Sequence, residues 1–179
     1  MRHPDSHSRI RLALVALTLA TTLLPAVSRA LTSDRNQPMK ISADQVTIDD
    51  KAGRSVYTGH VVVVQGTLRV TADRLVVYTD RRHTLQKLVA TGGPVTYRQR
   101  PDGKQQDVHA KAARMEYFAS RDQVVLTKDA QLRQGGNVFN SQRIVYNVKR
   151  DQVEAGKKAG GGRVEIVIQP KPKQPAGKP

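Results

Sequence analysis

Apolar and polar residues alternate with a period of two in many short segments after residue 37. The segments 39–43 and 68–72 show the alternation clearly. This pattern is typical of half-buried β-strands. Turn signals separate the segments at intervals of about a dozen residues, which is the spacing of an all-β protein. The predicted strands are residues 38–48, 54–65, 67–79, 84–91, 94–100, 106–118, 123–133, 138–148 and 163–169.

Clusters of Gly, Pro, Asp and Asn mark the turns between these strands. The most specific is Pro101-Asp-Gly103, because Asp-Gly supplies the positive φ angles of a tight hairpin. The segment His109–Ala119 disagrees locally, since its residues are strong helix formers. The predicted turns are residues 49–53, 80–82, 91–94, 101–103, 120–122, 135–137 and 149–151.

An internal repeat favours strand for the helix-like segment. Four segments share the order apolar, polar, small, polar, and their starts lie 29, 38 and 31 residues apart. The four segments are Ile41–Ile48, Val70–Val77, Val108–Met115 and Phe139–Tyr146. A turn and another β-rich run follow each, so the repeat unit is a pair of strands. Such repeated hairpins form a sandwich, a jelly roll or a propeller, and the pattern favours two facing sheets around an apolar slot.

Composition limits the class of function. The chain has 179 residues, which suggests one domain or two small ones, and it has no Cys. The absence of Cys excludes a disulfide framework, a Cys-ligated zinc site and a thiol nucleophile. The 30 Lys and Arg residues against 15 Asp and Glu residues give a net charge of +15 and predict an acidic partner. Aromatic residues make up 4% of the chain, too few for a protein that reads nucleic acid by stacking.

The first 30 residues have the pattern of a cleaved secretory signal peptide. Three arginines precede the apolar run Leu12–Leu24, which ends at Pro25 after 13 residues. The alternative, a membrane anchor, needs about 20 apolar residues. Small residues at Ser28 and Ala30 mark the expected cleavage site. We therefore expect an exported protein of the cell envelope, and export makes nucleic acid an implausible partner.

The expected domain organisation follows from this leader. Residues 1–30 are the signal peptide, residues 31–155 are the folded domain, and residues 156–179 are a basic Gly/Pro-rich tail. We expect the tail to hold a short strand at 163–169 and to be disordered at its end. Of the 30 basic and 15 acidic residues, the leader removes four and one, so 26 and 14 remain and the net charge is +12.

No residue pattern indicates catalysis. The three histidines after the leader are His60, His83 and His109, which lie far apart without metal-ligand spacing. Asp44 and Asp73 occupy the same position in two repeats, but Lys111 and Gln142 occupy it in the others. The two carboxylates are therefore better explained as contacts at strand turns. No nucleophile elbow, phosphate loop or dinucleotide fingerprint is present. We expect a binding protein without enzymatic activity, cofactor or metal.

Three segments resemble a known family. They are Gln37–Gln45, the run Tyr57–Gly66 with its Thr-Gly-x-Val-x-Val-x-Gln-Gly motif, and Leu68–Asp73. Together they are similar to the OstA-like β-jelly-roll family, and the resemblance extends over residues 37–155. It implies a single twisted, partly open antiparallel β-jelly roll of repeated strand pairs that encloses an apolar groove.

The resemblance also implies a function. Members bind the lipid A part of lipopolysaccharide in the periplasm and shield its acyl chains. They carry it from the inner-membrane transporter and its anchored periplasmic partner to the outer-membrane assembly complex, and they self-associate end to end through terminal strands.

The resemblance and the alternation together predict residues of the lipid-binding groove. Met39 and Ile41 match the family's opening strand, and Tyr97, Met115 and Tyr117 stand where the family has inward apolar or aromatic residues. Alternation adds three further lining residues, which are Val62, Val70 and Phe139. The candidate phosphate contacts are Arg69, Arg74 and Lys87.

Two alternatives stay open at this point. One is the membrane-anchored partner of the same pathway. The other is a basic structural envelope protein that has a filled core and binds polyanions through its surface.

Overall fold

The structure, a computed structural model, describes residues 34–156 and 163–169. The predicted signal peptide and residues 157–162 and 170–179 of the predicted tail lie outside the described residues. The strands are β1 (Lys40–Ser42), β2 (Gln45–Asp49), β3 (Arg54–Gln65), β4 (Leu68–Thr79), β5 (Leu85–Gln99), β6 (Val108–Phe118), β7 (Gln123–Gln134), β8 (Asn137–Asn147), β9 (Gln152–Ala155) and β10 (Glu165–Val167). Two short 3-10 helices are Asp34–Asn36 and Ala119–Arg121. No helix within the described ranges is long and apolar enough to cross a membrane.

All ten strands belong to one antiparallel sheet. Its order is β1-β3-β4-β5-β6-β7-β8-β10, while β2 also pairs with β3 and β9 also pairs with β8. The two ends of this order do not pair with each other, so the sheet is not closed. The predicted all-β, partly open antiparallel jelly roll is confirmed. The strands form one continuous sheet, which corrects the two separate sheets that the residue pattern favoured.

Three strand assignments differ from the prediction by more than a shifted end. The Gly92-Gly-Pro94 turn is wrong, because β5 continues through these residues. The predicted first strand is two strands that break at Ala43 and Asp44. The strand β9 was not predicted at all. The helix-like segment is the strand β6, as the repeat indicated, and it pairs with β5 and β7 on its two sides.

A line of irregularities crosses the middle of the sheet. Each of the five strand pairs from β3/β4 to β7/β8 shifts its register near the middle of its strands, and β4/β5 has a second shift at Tyr78/Thr79. We call this series the bulge line; the shifts fall between Thr58/Val61, Thr71/Arg74, Thr91/Val95, Lys111/Arg114 and Thr127/Ala130. Bulges bend and twist the strands that carry them, so the sheet bends along this line and divides into two halves.

Alternation gives the sheet an apolar inner face. Most of the buried residues of β3 to β8 form one core cluster on that face, in which Leu75, Leu126 and Ile144 are at most 1% exposed. Burying an aliphatic side chain of this size stabilises the fold by about 1.5–3 kcal/mol. The outer face carries most of the charged side chains.

Candidate functional site

The inner face of the sheet lines a cavity of about 220 Å³. Every strand from β3 to β7 contributes to its wall, so the sheet curves around it. Most of the wall is apolar. The lining residues are Asp34, Met39, Val63, Gln65, Leu68, Val70, Leu75, Leu85, Leu88, Ala90, Tyr97, Gln99, Met115, Tyr117, Val124 and Val148. Such a concave, mainly apolar space with a few polar groups is the usual form of a small-molecule site.

The polar lining residues meet around one buried carboxylate. Asp34 is 7% exposed, and its carboxylate accepts hydrogen bonds from Thr67 N at 2.6 Å and Thr67 Oγ1 at 2.7 Å. Gln99 Nε2 donates a third bond at 2.8 Å. Gln65 Nε2 donates to Gln37 O at 3.0 Å. These bonds fasten the segment that precedes β1 to the β3/β4 turn and to β5, beside the cavity.

The sequence carried no signal for Asp34. Its partners lie 33 and 65 residues away, and no local pattern reports contacts at that separation. It also lies before the first predicted strand, so alternation cannot predict which way its side chain points.

Five of the eight predicted lining residues line the cavity. They are Met39, Val70, Tyr97, Met115 and Tyr117. Burial raises the pKa of Tyr97 above its ordinary value, so its hydroxyl stays neutral and shares a hydrogen bond with the Gln99 side chain.

The other three predicted lining residues lie elsewhere. Ile41 and Phe139 pack against the core cluster but are not part of the cavity wall. Val62 is a correction, because it lies on the outer face between Val61 and Val63, which are each 1% exposed. The apolar run 61–64 has no alternation from which its phase follows, and the bulge before Val61 resets the phase of the preceding residues.

Several lining residues were not predicted. They include Leu68, Leu75, Leu88 and Val124. Alternation in the phase of Val70 identifies Leu68. Leu75 and Leu88 lie across the bulge line from Val70 and Tyr97, so the register shift reverses their phase and alternation misses them. Val124 lies on β7, where no lining residue was predicted.

The three predicted phosphate contacts lie on the outer face, opposite the cavity. Arg69 and Arg74 are exposed, and each neighbours a residue that lines the cavity. Lys87 is engaged within the protein, because its Nζ lies 2.7 Å from Glu116 Oε1 and 5.0 Å from the centre of the Phe118 ring. None of the three is placed to contact a phosphate inside the cavity.

Asp44 and Asp73, the carboxylates that occupy the same position in two repeats, lie at the bulge line. Each contacts the neighbouring strand, and the two do not form a catalytic pair. Asp73 Oδ2 accepts a hydrogen bond from Gly93 N at 3.1 Å. Asp44 Oδ2 lies 2.7 Å from Nδ1 of the exposed His60, and this hydrogen bond holds the pKa of His60 above its ordinary value. Each carboxylate therefore stabilises an irregular stretch on the neighbouring strand.

Comparison with known proteins identifies the family. Residues 40–152 match the family described as "LptA/(LptD N-terminal domain) LPS transport protein". The chain belongs to this family of lipopolysaccharide transport proteins. The resemblance to OstA-like proteins is therefore confirmed.

Individual relatives agree with that assignment. The lipopolysaccharide export system protein LptH of Pseudomonas aeruginosa is 35% identical over 161 residues, which cover 87% of this chain and 92% of the relative. The lipopolysaccharide export system protein LptA of Escherichia coli K12 is 35% identical over 158 residues, which cover 86% and 84%.

A crystal structure shares the fold. It is that of LptH from Pseudomonas aeruginosa, described as the LptA homologous periplasmic component of the conserved lipopolysaccharide transport device. Its TM-score is 0.71 at 34% identity, and the match covers 78% of this chain and 100% of that one.

Proposed function

We propose that this protein binds lipopolysaccharide in the periplasm and holds lipid A acyl chains in the cavity of its inner face. It then bridges the inner-membrane transporter, with its anchored periplasmic partner, and the outer-membrane assembly complex. The observation that carries the proposal is an apolar cavity walled by five consecutive strands of a sheet that does not close. The names of the relatives, which are lipopolysaccharide export system proteins, support it.

The physical reason is the cost of exposing acyl chains. Each CH₂ group exposed to water costs about 0.8 kcal/mol, so a lipid with several chains needs a continuous apolar wall between the membranes. The cavity of about 220 Å³ is smaller than the pockets of roughly 300–1,000 Å³ that enclose a drug-sized ligand. The strands β1 and β10 at the ends of the sheet share no ladder, so the sheet is free to widen when a lipid enters.

Stacking of copies is part of the proposal. The edge strand β2 exposes Val46 and Ile48, while β10 exposes Ile166 and Val167. The two strands lie on opposite sides of the bulge line, since β2 pairs with the first part of β3 and β10 with the first part of β8. Exposed edge strands of this kind add a further strand by main-chain hydrogen bonds.

Cross-linking from two consecutive residues of β6 tests the cavity. Tyr117 lines the cavity and Phe118 lies on the outer face, so a photoreactive phenylalanine analogue at each position samples opposite faces with the same chemistry. We expect cross-links to labelled lipopolysaccharide from position 117 and none above background from position 118. Equal cross-linking from both positions, or cross-links from position 118 alone, would sink the cavity proposal.

The anchored and surface-binding alternatives predict other results. N-terminal sequencing of the exported protein would reveal an intact 12–24 segment if the chain were a membrane-anchored partner. A structural polyanion binder would bind lipopolysaccharide without any cross-link from position 117, and salt would abolish that binding.

A further inference from the structure

Four basic residues stand side by side on β4 to β7, in the half of the sheet where β4 and β6 begin. Arg69 of β4 faces Arg98 of β5, Arg98 faces His109 of β6, and His109 faces Arg133 of β7. We call these four residues the basic row. Because neighbouring strands lie about 4.8 Å apart, the row forms a line roughly 14 Å long.

The basic row lies on the outer face of the sheet, opposite the face that lines the cavity. Its four members are exposed, and each is adjacent in sequence to a buried residue of the core cluster. Those neighbours are Val70, Tyr97, Ala110 and Leu132. The row is therefore a surface separate from the cavity, although both lie on the same strands.

The charge of the row is only partly balanced. Like charges directly opposite each other in a sheet are unfavourable. Asp107 compensates Arg98, with Oδ2 at 2.6 Å from Arg98 Nε, and its Oδ1 lies 2.8 Å from Arg100 Nε. In the described parts of the chain, no carboxylate lies within ion-pair distance of Arg69, His109 or Arg133. An anion bound along the row would remove this repulsion.

A second row of hydrogen-bonding side chains runs beside the first. Thr71, Thr96, Lys111, Gln131 and Asn140 face one another in register across β4 to β8. We call these five residues the polar row. All four residues of the basic row, together with Thr96, Lys111 and Gln131 of the polar row, line a shallow depression of about 520 Å³.

Contacts within and between the rows hold their side chains in place. The hydroxyl oxygens of Thr71 and Thr96 lie 2.6 Å apart, and Gln131 Nε2 donates to Asn140 Oδ1 at 2.9 Å. Arg133 Nε donates to Gln131 Oε1 at 3.3 Å, which links the two rows. The depression therefore offers fixed hydroxyl, amide and guanidinium groups next to one another.

We propose that the two rows bind a phosphorylated oligosaccharide. Guanidinium groups pair with phosphate through two parallel hydrogen bonds, and the hydroxyl and amide groups of the polar row suit sugar hydroxyls. The inference rests on the proposed function, in which such an oligosaccharide is the hydrophilic part of the transported lipopolysaccharide. The saccharide lies on the outer face while acyl chains occupy the inner face.

A phospholipid surface fits these rows less well. Binding to a bilayer gains from apolar side chains that insert among the lipids. Among the large exposed apolar residues of the described chain, Val46, Ile48 and Tyr78 lie in the other half of the sheet, on β2 and β4. Ile166, Val167 and Ile168 lie on or beside the edge strand β10, beyond the ends of both rows and not among their members. The rows combine charge with sugar-binding groups instead.

A titration with lipid-free saccharide tests the proposal. The probe is the phosphorylated core oligosaccharide that mild acid releases from lipopolysaccharide, and the readout is the dissociation constant by calorimetry at low salt. The variant Arg69→Gln/Arg133→Gln removes two members of the basic row. The control Lys51→Gln/Arg82→Gln removes two exposed basic residues from turns in the other half of the sheet. Circular dichroism establishes that both variants are folded.

We expect the row variant to bind at least about tenfold more weakly, equivalent to roughly 1.4 kcal/mol, and the control to bind like the parent. Phosphatase treatment of the oligosaccharide should weaken its binding to the parent protein by a similar factor. Equal losses in the row variant and the control would overturn the proposal. So would row-dependent binding to phosphatidylglycerol vesicles without any binding of the saccharide.

The test separates this inference from the proposed function. Cross-linking of whole lipopolysaccharide from position 117 in the row variant reports on the cavity alone. Loss of that cross-link in every protein, with saccharide binding intact, would refute acyl-chain binding in the cavity but not saccharide binding at the rows. An intact cross-link with no saccharide binding would refute saccharide binding at the rows but not acyl-chain binding in the cavity.

Discussion

At the scale of single residues, the contact between Gly66 and Asp34 shows how closely the chain before β1 is fitted. Gly66 has φ +57°, and a Cβ at this position would lie 2.2 Å from Asp34 Oδ1. Glycine is required here twice, once by the left-handed backbone and once by the space that the carboxylate occupies. The contact holds the start of the fold against the β3/β4 turn.

Gly66→Ala should therefore destabilise the protein more than a matched substitution. Gly103 also has a positive φ, of +73°, but nothing lies within 4 Å of its missing Cβ. Both alanines should lose about 1–2 kcal/mol from the backbone alone. Gly66→Ala should lose about 1–3 kcal/mol more, because a displaced Asp34 leaves the Thr67 and Gln99 donors unpaired. Urea unfolding measures both; equal losses would show that the Asp34 contact contributes nothing.

Residue-level prediction from sequence succeeded where alternation has a phase. Val70 stands in a strand with clear alternation and lines the cavity, and Met115, predicted from the family resemblance, lines it as well. Val62 stands in an unbroken apolar run and lies on the other face. Asp34 depends on partners that are distant in sequence, so its role emerged only from the folded structure.

At the scale of elements, the outer face has a buried band of its own. Val76, Val89, Val125 and Val145 are 3–7% exposed although they face away from the core cluster. In the register of the sheet Glu116 stands in the middle of these four valines, between Val89 and Val125. A carboxylate among apolar neighbours must be compensated, and two cations supply that compensation.

Glu116→Gln should weaken the dependence of stability on pH in acid. Desolvation opposes ionisation of Glu116, but hydrogen bonds from Lys87 Nζ at 2.7 Å and Arg114 Nη2 at 3.0 Å hold its pKa below the ordinary 4.5. A lowered pKa in the folded state means that the stabilisation is present above pH 4.5 and is lost as pH falls through the folded value.

Urea midpoints between neutral pH and pH 3, about one and a half units below that ordinary value, measure the effect. The parent should lose stability on acidification, and Glu116→Gln should lose less. The same substitution at the exposed Glu154, at the end of the same band, serves as the control and should keep the parent's dependence. An identical acid profile for all three proteins would contradict the assigned role of Glu116.

Most elements could be predicted from sequence, and the failures have physical reasons. The segment β6 has helix-forming residues, but ladders on both sides outweigh local propensity. The Gly-Gly-Pro sequence in β5 reads as a turn, whereas the sheet uses it at the bulge line. The strand β9 has four residues, too few for a visible period.

At the scale of the whole molecule, the exposed apolar edges β2 and β10 define an assembly with direction. The two edges are different surfaces on opposite halves of the sheet. Contact between them is heterologous, and repeated heterologous contacts that do not close produce filaments. The proposed stacking therefore predicts open chains and not closed dimers.

Two single variants test this directionality. Ile48→Lys places a charge on β2 and Ile166→Lys places one on β10, at side chains that are 59% and 50% exposed. Each variant alone should associate about tenfold or more weakly than the parent, because a buried aliphatic contact of about 1.5–3 kcal/mol is lost. Mixed together, the two variants should form dimers and nothing larger, since each retains one intact edge.

Sedimentation velocity distinguishes the possible states. A mixture that stays monomeric while the parent forms chains would contradict contact between β2 and β10. A parent that stays monomeric at high concentration would exclude self-stacking.

The cavity is walled by the same side chains that hold the sheet together. The residues shared by the wall and the core cluster are Val63, Val70, Leu75, Ala90, Tyr97, Met115 and Val124. A molecule that fills this space adds packing contacts that exist only in the folded chain. At 100 times its dissociation constant, such a molecule raises the free energy of unfolding by about 2.7 kcal/mol. The melting temperature of this protein should therefore rise with the fraction of cavities that hold a lipid. It detects an unlabelled lipid inside the sheet without modification of either molecule.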